Sequence, residues 1–189
     1  DFTKISDNYY ENGYIFNQIS RNENRVGNEI SFTINIIENP RAHIENIIIR
    51  GNEKTKDHVL TRELPFIEGE VFNKRKLTEG FKNLYSLQYF NNINYDIKPG
   101  SSDNLMDVIF DVEEGSTATI LAGFAFSGST DFPVTGQVQY TDRNFLGNGQ
   151  TFSLESNLSP AQQTLTMSFS ESWFTGRRWT VGGDLTLAH

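Results

Sequence analysis

Residues 143–150 read Arg-Asn-Phe-Leu-Gly-Asn-Gly-Gln, and this stretch decides how the second half of the chain is interpreted. Gly147-Asn148-Gly149 is typical of a tight turn, because Gly and Asn accept backbone angles that other residues avoid. On both sides of the turn, polar and apolar residues alternate with the period of a β-strand. The stretch therefore predicts a hairpin between two strands, with its motif formed by Arg143, Asn144, Phe145, Leu146, Gly147 and Gly149.

Residues 116–189 contain about five alternating runs, most of them about 9–11 residues long, which is the length that crosses a bilayer at a tilt. The polar face of these runs is rich in Ser, Thr, Gln and Gly rather than in Lys and Glu. Aromatic residues gather near the predicted strand ends, as they do where membrane meets water; they are Tyr140, Phe145, Trp173, Phe174 and Trp179. The pattern favours the first strands of a transmembrane β-barrel over a soluble sheet with one buried face.

Residues 40–115 predict a β-α-α-β-β module. Its expected elements are a strand at 44–50, a helix from Thr55 through Leu64, a helix after Asn73, and strands at 89–97 and 105–112. Residues 1–39 repeat the later part of this module at a spacing of about 75 residues. There the pattern predicts a helix from Phe2, a strand at 14–20, a polar hairpin loop at 22–28 and a strand at 29–37.

The composition argues against several classes of protein. The net charge is -8, and the chain offers no basic face for nucleic acid. It has no Cys, and its three histidines (His43, His58 and His189) lack the spacing of a zinc site. We therefore expect no enzyme activity, cofactor or metal. Residues 1–10 do not resemble a signal peptide, so we expect an internal piece of a longer exported protein.

Five short motifs resemble, in order, those of the polypeptide-transport-associated (POTRA) repeat: 47–55, 61–64, 68–72, 76–77 and 89–90. Residues 143–150 and 171–174 are similar to the opening barrel strands of BamA-like outer-membrane assembly proteins, a POTRA-containing insertase superfamily. The resemblance implies α+β POTRA repeats followed by the first antiparallel strands of a truncated transmembrane β-barrel. Its segments would be a partial repeat (1–39), a complete membrane-proximal repeat (40–115) and truncated barrel strands (116–189).

The resemblance also implies a function at the bacterial outer membrane, with the POTRA repeats in the periplasm. The chain would be part of an insertase that folds and inserts β-barrel proteins by pairing strand edges. Its partners would be unfolded outer-membrane β-barrel clients, accessory assembly lipoproteins and outer-membrane lipid, with no nucleic acid. A truncated sheet with open edges could also pair with a second copy of itself.

Three sets of binding residues follow from the resemblance. Clients would pair with the edge strand of the complete repeat, at Tyr89, Phe90, Ile93, Tyr95 and Ile97. An accessory lipoprotein would contact Glu63, for which the alternative is an ordinary exposed helix acid. The edge of the first barrel strand, at a seam, would be Thr119, Leu121, Gly123, Ala125 and Ser127. Two other functions stay open: a POTRA-bearing outer-membrane secretion transporter, and a soluble periplasmic binding module with a β-sandwich tail.

Overall fold

The computed structural model describes residues 2–126, 134–159 and 162–189. In chain order its elements are α1 (Phe2–Glu11), β1 (Gln18–Val26), β2 (Glu29–Ile37), β3 (His43–Arg50), α2 (Asp57–Thr61), α3 (Lys74–Ser86), β4 (Phe90–Pro99), β5 (Leu105–Glu114), β6 (Ala118–Phe126), β7 (Val134–Phe145), β8 (Gln150–Leu158), β9 (Gln163–Glu171), a 3-10 turn (Phe174–Gly176) and β10 (Val181–Ala188). Within these ranges, no helix has the length and apolar character needed to cross a membrane.

The chain divides into two units. The first contains the residues up to Arg50 together with Arg62–Ser86 and Ile93–Val112, and the second contains Gly51–Thr61, Leu87–Asn92 and Glu113–His189.

A three-stranded sheet of order β3-β5-β4 organises the first unit, and β3 and β5 run parallel. The central strand β5 is covered on both faces, because Val108, Ile109 and Phe110 are all at most 2% exposed. Helix α3 contributes buried Leu77 and Leu84. The predicted α+β class is confirmed, and the order places β4 at an edge of this sheet.

Two predictions for the start of the chain are wrong. The strand expected at 14–20 and the loop expected at 22–28 are replaced by a longer hairpin, in which β1 pairs with β2 from Gln18↔Ile37 to Val26↔Glu29. Only residues 27–28 turn, and Gly27 has a φ of 62°. The run at 21–25 is polar because β1 is exposed along most of its length, so its ladder with β2 needs no apolar side chains there.

Helix α2 ends at Thr61 and does not continue through Leu64 as predicted. Pro65 has no N–H to donate to the Thr61 carbonyl, and it also disfavours helical angles at Leu64. Because of Pro65, the helix ends at Thr61, about one turn before the predicted end at Leu64.

The second unit contains one antiparallel sheet of order β10-β9-β8-β7-β6, so the five strands predicted for residues 116–189 are confirmed. The register places the apolar residues of neighbouring strands opposite one another, and opposite residues in an antiparallel pair lie on the same face of the sheet. One row across all strands is Ile120, Tyr140, Leu154, Met167 and Leu185; the adjacent row on the other face is Leu121, Gln139, Glu155, Thr166 and Thr186. Among the described strands of this unit there is one sheet, whereas a β-sandwich needs two packed sheets.

Candidate functional site

The hairpin motif contacts the loop of residues 51–56 (the 51–56 loop), and both belong to the second unit. β7 ends at Phe145 and β8 begins at Gln150, so four residues reverse the chain. Leu146, Gly147 and Gly149 have φ values of 54°, 75° and 71°. Leu146 adopts this left-handed conformation at a cost of about 1–2 kcal/mol, which indicates that surrounding contacts hold the turn.

Asn144 is the buried centre of these contacts, with 0% exposure. Its amide donates a hydrogen bond to Thr55 Oγ1 at 2.8 Å, and its side-chain oxygen accepts one from the Gly149 N–H at 2.8 Å. Its backbone N–H donates to Asp142 Oδ1 at 3.0 Å. One side chain thus joins both arms of the hairpin to the 51–56 loop.

Gly147 brings the two backbones together. The Lys56 N–H donates to the Gly147 carbonyl at 3.0 Å. A Cβ at Gly147 would lie 1.9 Å from the Lys54 carbonyl oxygen, well inside any allowed contact. This position requires glycine for close approach as well as for its positive φ.

Charged groups surround this contact. Lys54 Nζ lies 3.2 Å from Asp142 Oδ2 and donates to Thr117 Oγ1 at 3.0 Å. The Thr117 hydroxyl in turn donates to Asp142 Oδ1 at 2.6 Å. Asp142 is 5% exposed, so these bonds and the lysine offset the cost of burying its carboxylate.

Glu114, at the end of β5, holds the backbone of the same loop. Its carboxylate accepts the N–H groups of Lys54 and Thr55 at 2.8 and 2.6 Å. Burial of Glu114 acts to raise its pKa, but hydrogen bonds from Thr55 and Lys54 and the Lys54 charge outweigh burial. The net effect lowers the pKa of Glu114 below its ordinary value of 4.5.

Tyr89 belongs to this set of contacts rather than to the strand edge where the sequence prediction put it. β4 begins at Phe90, and Tyr89 is 7% exposed. Its hydroxyl donates to the Arg143 carbonyl at 3.0 Å, and the Arg143 guanidinium donates to Gln88 Oε1 at 2.6 Å. The arrangement fixes a turn against a loop. Sequence reasoning found the hairpin residues but missed Lys54, Glu114 and Thr117, because nothing local links them to it.

Four other candidate client-binding residues lie on β4, the edge strand of the first unit's sheet. Ile93 is 6% exposed, so its side chain packs inward. Tyr95 is 48% exposed and contacts the Phe81 ring edge-on at 5.7 Å. Phe90 and Ile97 are half-buried. Client binding at this edge stays a prediction.

Glu63 is not an ordinary exposed helix acid, because it lies in the turn after α2 and is 7% exposed. Its carbonyl accepts a hydrogen bond from Asn83 Nδ2 at 2.8 Å. The lipoprotein contact stays a prediction. Among the described residues, no group of three or more His, Asp or Glu side chains is placed to share a metal ion.

The predicted first barrel strand corresponds to β6, at an edge of the five-stranded sheet; Ser127 lies outside the described residues. The Arg143 N–H donates to the Thr117 carbonyl at 3.1 Å, and Ala118 is opposite Asp142. Hydrogen-bonded pairs alternate along an antiparallel ladder, so the backbones of Thr119, Leu121, Gly123 and Ala125 bond to β7. The outward backbone groups belong to the alternate residues Ile120, Ala122 and Phe124.

Two family models match the chain. The POTRA family, described as a surface antigen variable number repeat, covers residues 42–115, and the Omp85 superfamily domain covers residues 144–189, beginning within the hairpin motif. Together the two matches identify a POTRA domain followed by part of an Omp85 superfamily domain. The exact segment bounds predicted above (1–39, 40–115 and 116–189) stay predictions.

Relatives of this chain are named for outer-membrane protein assembly. A candidate outer membrane protein assembly factor of Treponema pallidum (strain Nichols) is 40% identical over 100% of this chain and 23% of its own length. The outer membrane protein assembly factor BamA of Nitratidesulfovibrio vulgaris is 27% identical over 97% of this chain and 23% of its own length. The chain thus spans about a quarter of these curated relatives.

Solved structures show the same fold at low identity. BamA from Haemophilus ducreyi lacking POTRA domains 1-3 is 19% identical with a TM-score of 0.81, covering 98% of this chain and 35% of that one. CdiB from Escherichia coli is 17% identical with a TM-score of 0.57, covering 98% and 34%. The fold is therefore a POTRA repeat followed by antiparallel strands that match the BamA barrel region.

Proposed function

We propose that this chain is part of an insertase that folds and inserts β-barrel proteins into the bacterial outer membrane. Its POTRA repeats would lie in the periplasm, and its five-stranded sheet would face lipid. The observation that carries this proposal is the apolar row running in register across all five strands and ending at the open edge of β6. Ile120 and Leu185, in the outermost strands, are 71% and 61% exposed.

The mechanism needs no catalytic residue or nucleotide. A strand edge in lipid leaves backbone groups without partners, each costing several kcal/mol. The outward N–H and C=O groups of Ile120, Ala122 and Phe124 give an incoming client strand hydrogen-bond partners before the client barrel closes. Upstream, the β4 edge would dock extended client segments, and the surface around the largely buried Glu63 would contact an accessory lipoprotein. These roles would deliver a client to the β6 edge.

Ala122→Pro tests this role of β6. Proline removes an outward N–H from the edge, and the β6–β7 ladder keeps its bonds through the neighbouring residues. The full chain is reconstituted into phosphatidylcholine vesicles and given a urea-unfolded outer-membrane porin. Porin folding is then followed by its band shift on unboiled gels. We expect the native chain to accelerate folding and Ala122→Pro to return the rate toward that of empty vesicles.

Ala122→Ser is the matched control, because it changes the same position and keeps the N–H. It should fold the porin as fast as the native chain does. Equal rates for the proline and serine variants would refute the edge mechanism. A native chain no faster than empty vesicles would refute the insertase proposal.

A further inference from the structure

The connection between β9 and β10, residues 172–180 (the 172–180 connection), lies beside the hairpin motif. β7 and β9 run in the same direction, so the turns that follow them share one end of the sheet. Gln150 is opposite Glu171 in the register, and its amide donates to Glu171 Oε2 at 2.9 Å. This end of the sheet is also where β5 leads into β6.

The 172–180 connection has a defined conformation. The Phe174 N–H donates to the Trp179 carbonyl at 3.1 Å, and the Arg177 N–H donates to the Phe174 carbonyl at 3.2 Å. The Trp173 N–H donates to Glu171 Oε1 at 2.8 Å. These bonds close a compact loop that leaves two consecutive arginines, Arg177 and Arg178, exposed.

Aromatic rings flank the two arginines. The Arg178 guanidinium carbon lies 5.4 Å from the centre of the Trp173 ring. Phe174 is 46% exposed and Trp179 is 62% exposed. Aromatic rings of this kind favour the level of lipid headgroups, where one end of the side chain is apolar and the other wet.

The charge of this loop is opposite to that of the rest of the chain. The net charge is -8, and residues 116–189 contain no lysine. Their arginines are Arg143, Arg177 and Arg178, and Arg143 is bonded to Gln88 in the motif site. Within residues 116–189, the 172–180 connection thus carries two of the three arginine charges, on adjacent residues. A guanidinium also presents forked donors that suit phosphate oxygens.

We propose that the 172–180 connection binds the phosphate of anionic phospholipid headgroups at one surface of the membrane. Arg177 and Arg178 contact the phosphate, while Trp173, Phe174 and Trp179 lie at headgroup level. A membrane lipid is the occupant because the loop continues the strands that carry the apolar face: Phe169, Met167 and Leu185 lie on that face. The inference rests on the proposed function, since the sheet must lie in a bilayer.

The test compares binding of the full chain to vesicles of phosphatidylcholine alone and of phosphatidylcholine mixed with phosphatidylglycerol. The anionic-lipid gain is the affinity for the mixed vesicles divided by the affinity for phosphatidylcholine vesicles. In the double variant Arg177→Gln/Arg178→Gln this gain should fall about fivefold for each arginine, or roughly thirty-fold in all. Arg177→Lys/Arg178→Lys should keep most of the gain, because it keeps the charge. The matched control, Arg21→Gln/Arg25→Gln, removes the same charge from the exposed β1 strand and should keep the native gain.

Each outcome decides between the proposals. If the Arg177→Gln/Arg178→Gln variant binds phosphatidylcholine normally and keeps the anionic gain, the headgroup site is refuted and the insertase proposal stands. If inorganic phosphate at constant ionic strength abolishes the native gain, the loop is a general anion site and the lipid assignment is wrong. If no version of the chain binds either vesicle, both proposals fail. The headgroup site is supported if the Arg177→Gln/Arg178→Gln variant loses the anionic-lipid gain, the Lys variant and the control keep it, and inorganic phosphate leaves the native gain unchanged.

Discussion

Asn144 shows at the residue scale how one buried amide can organise a turn. It is fully buried, and its donor and acceptor both have partners, Thr55 Oγ1 and the Gly149 N–H. A buried polar group left without its partner costs more than the bond itself contributes. The asparagine therefore stabilises the hairpin mainly by keeping two other buried groups satisfied. The sequence predicted a turn here but not this partner, because Thr55 is remote in sequence.

Asn144→Ala should lower the free energy of unfolding of the second unit by about 1–3 kcal/mol, because it leaves the buried Gly149 N–H unpaired and removes one partner of the buried Thr55 hydroxyl. Urea titration in detergent micelles, followed by the fluorescence of Trp173 and Trp179, would measure the change, since both tryptophans belong to this unit. Asn148→Ala, in the same turn and only half-buried, is the control and should change stability much less. Equal losses in the two variants would contradict this role for Asn144.

At the element scale, the 51–56 loop is held from two sides. The hairpin turn contacts it through Gly147 and Asn144, while the Glu114 carboxylate accepts two of its backbone N–H groups. The loop pairs with no described strand, and these contacts add to its internal hydrogen bond from Asn52 Nδ2 to the Thr55 carbonyl at 2.9 Å. One of these two sets of contacts therefore depends on the ionisation of Glu114.

This dependence predicts a loss of stability in acid. The pKa of Glu114 is lowered in the folded chain, so the unfolded chain takes up the proton first as pH falls. The stabilisation is present above the ordinary value of 4.5 and is lost as pH falls from there through the lower folded value. We expect the native second unit to lose more stability over this range than Glu114→Gln, which should already be less stable at neutral pH.

Thermal unfolding in micelles across this pH range, followed by tryptophan fluorescence, would measure the difference. Glu113→Gln is the matched control, because Glu113 is adjacent and exposed, and it should follow the native curve. A Glu114→Gln variant with the native pH profile would show that this carboxylate does not hold the loop.

At the scale of the whole molecule, the five-stranded sheet combines an exposed apolar face with a polar face. The two faces differ because the pairing register of β6 through β10 places the apolar residues of each strand on the same side of the sheet. Both outer strands, β6 and β10, also have an open edge within the described sheet. Pairing of these edges with a second copy stays a prediction.

Cysteine labelling can distinguish the two faces, since the chain has no cysteine of its own. Met167→Cys and Thr166→Cys place a fluorophore on adjacent residues of β9 that point to opposite faces. In vesicles containing nitroxide-labelled lipid, we expect strong quenching at position 167 and weak quenching at 166, because the proposed function places the apolar face against lipid. The pair Leu185→Cys and Thr186→Cys on β10 should repeat this difference. Equal quenching within both pairs would argue against a lipid-facing surface.

The sequence by itself determined the features that depend on local pattern. Alternation with period two predicted the five strands of residues 116–189, and the Gly-Asn-Gly turn predicted their second hairpin. The POTRA-like motifs predicted the α+β module, and the Omp85 relationship agrees with these assignments. Local pattern succeeded here because the alternation of polar and apolar residues within each strand marks its two faces.

Tertiary structure alone decided which residues meet. It buried Glu63, Tyr89 and Ile93, which the sequence had offered as binding residues. It extended β1 through a polar run, since pairing rather than burial maintains that strand. It also showed that the outward backbone groups of β6 belong to Ile120, Ala122 and Phe124 and not to the residues that the sequence had offered, because the register of a ladder depends on the partner strand. These outcomes arise from contacts between residues far apart in the chain, which no local period encodes.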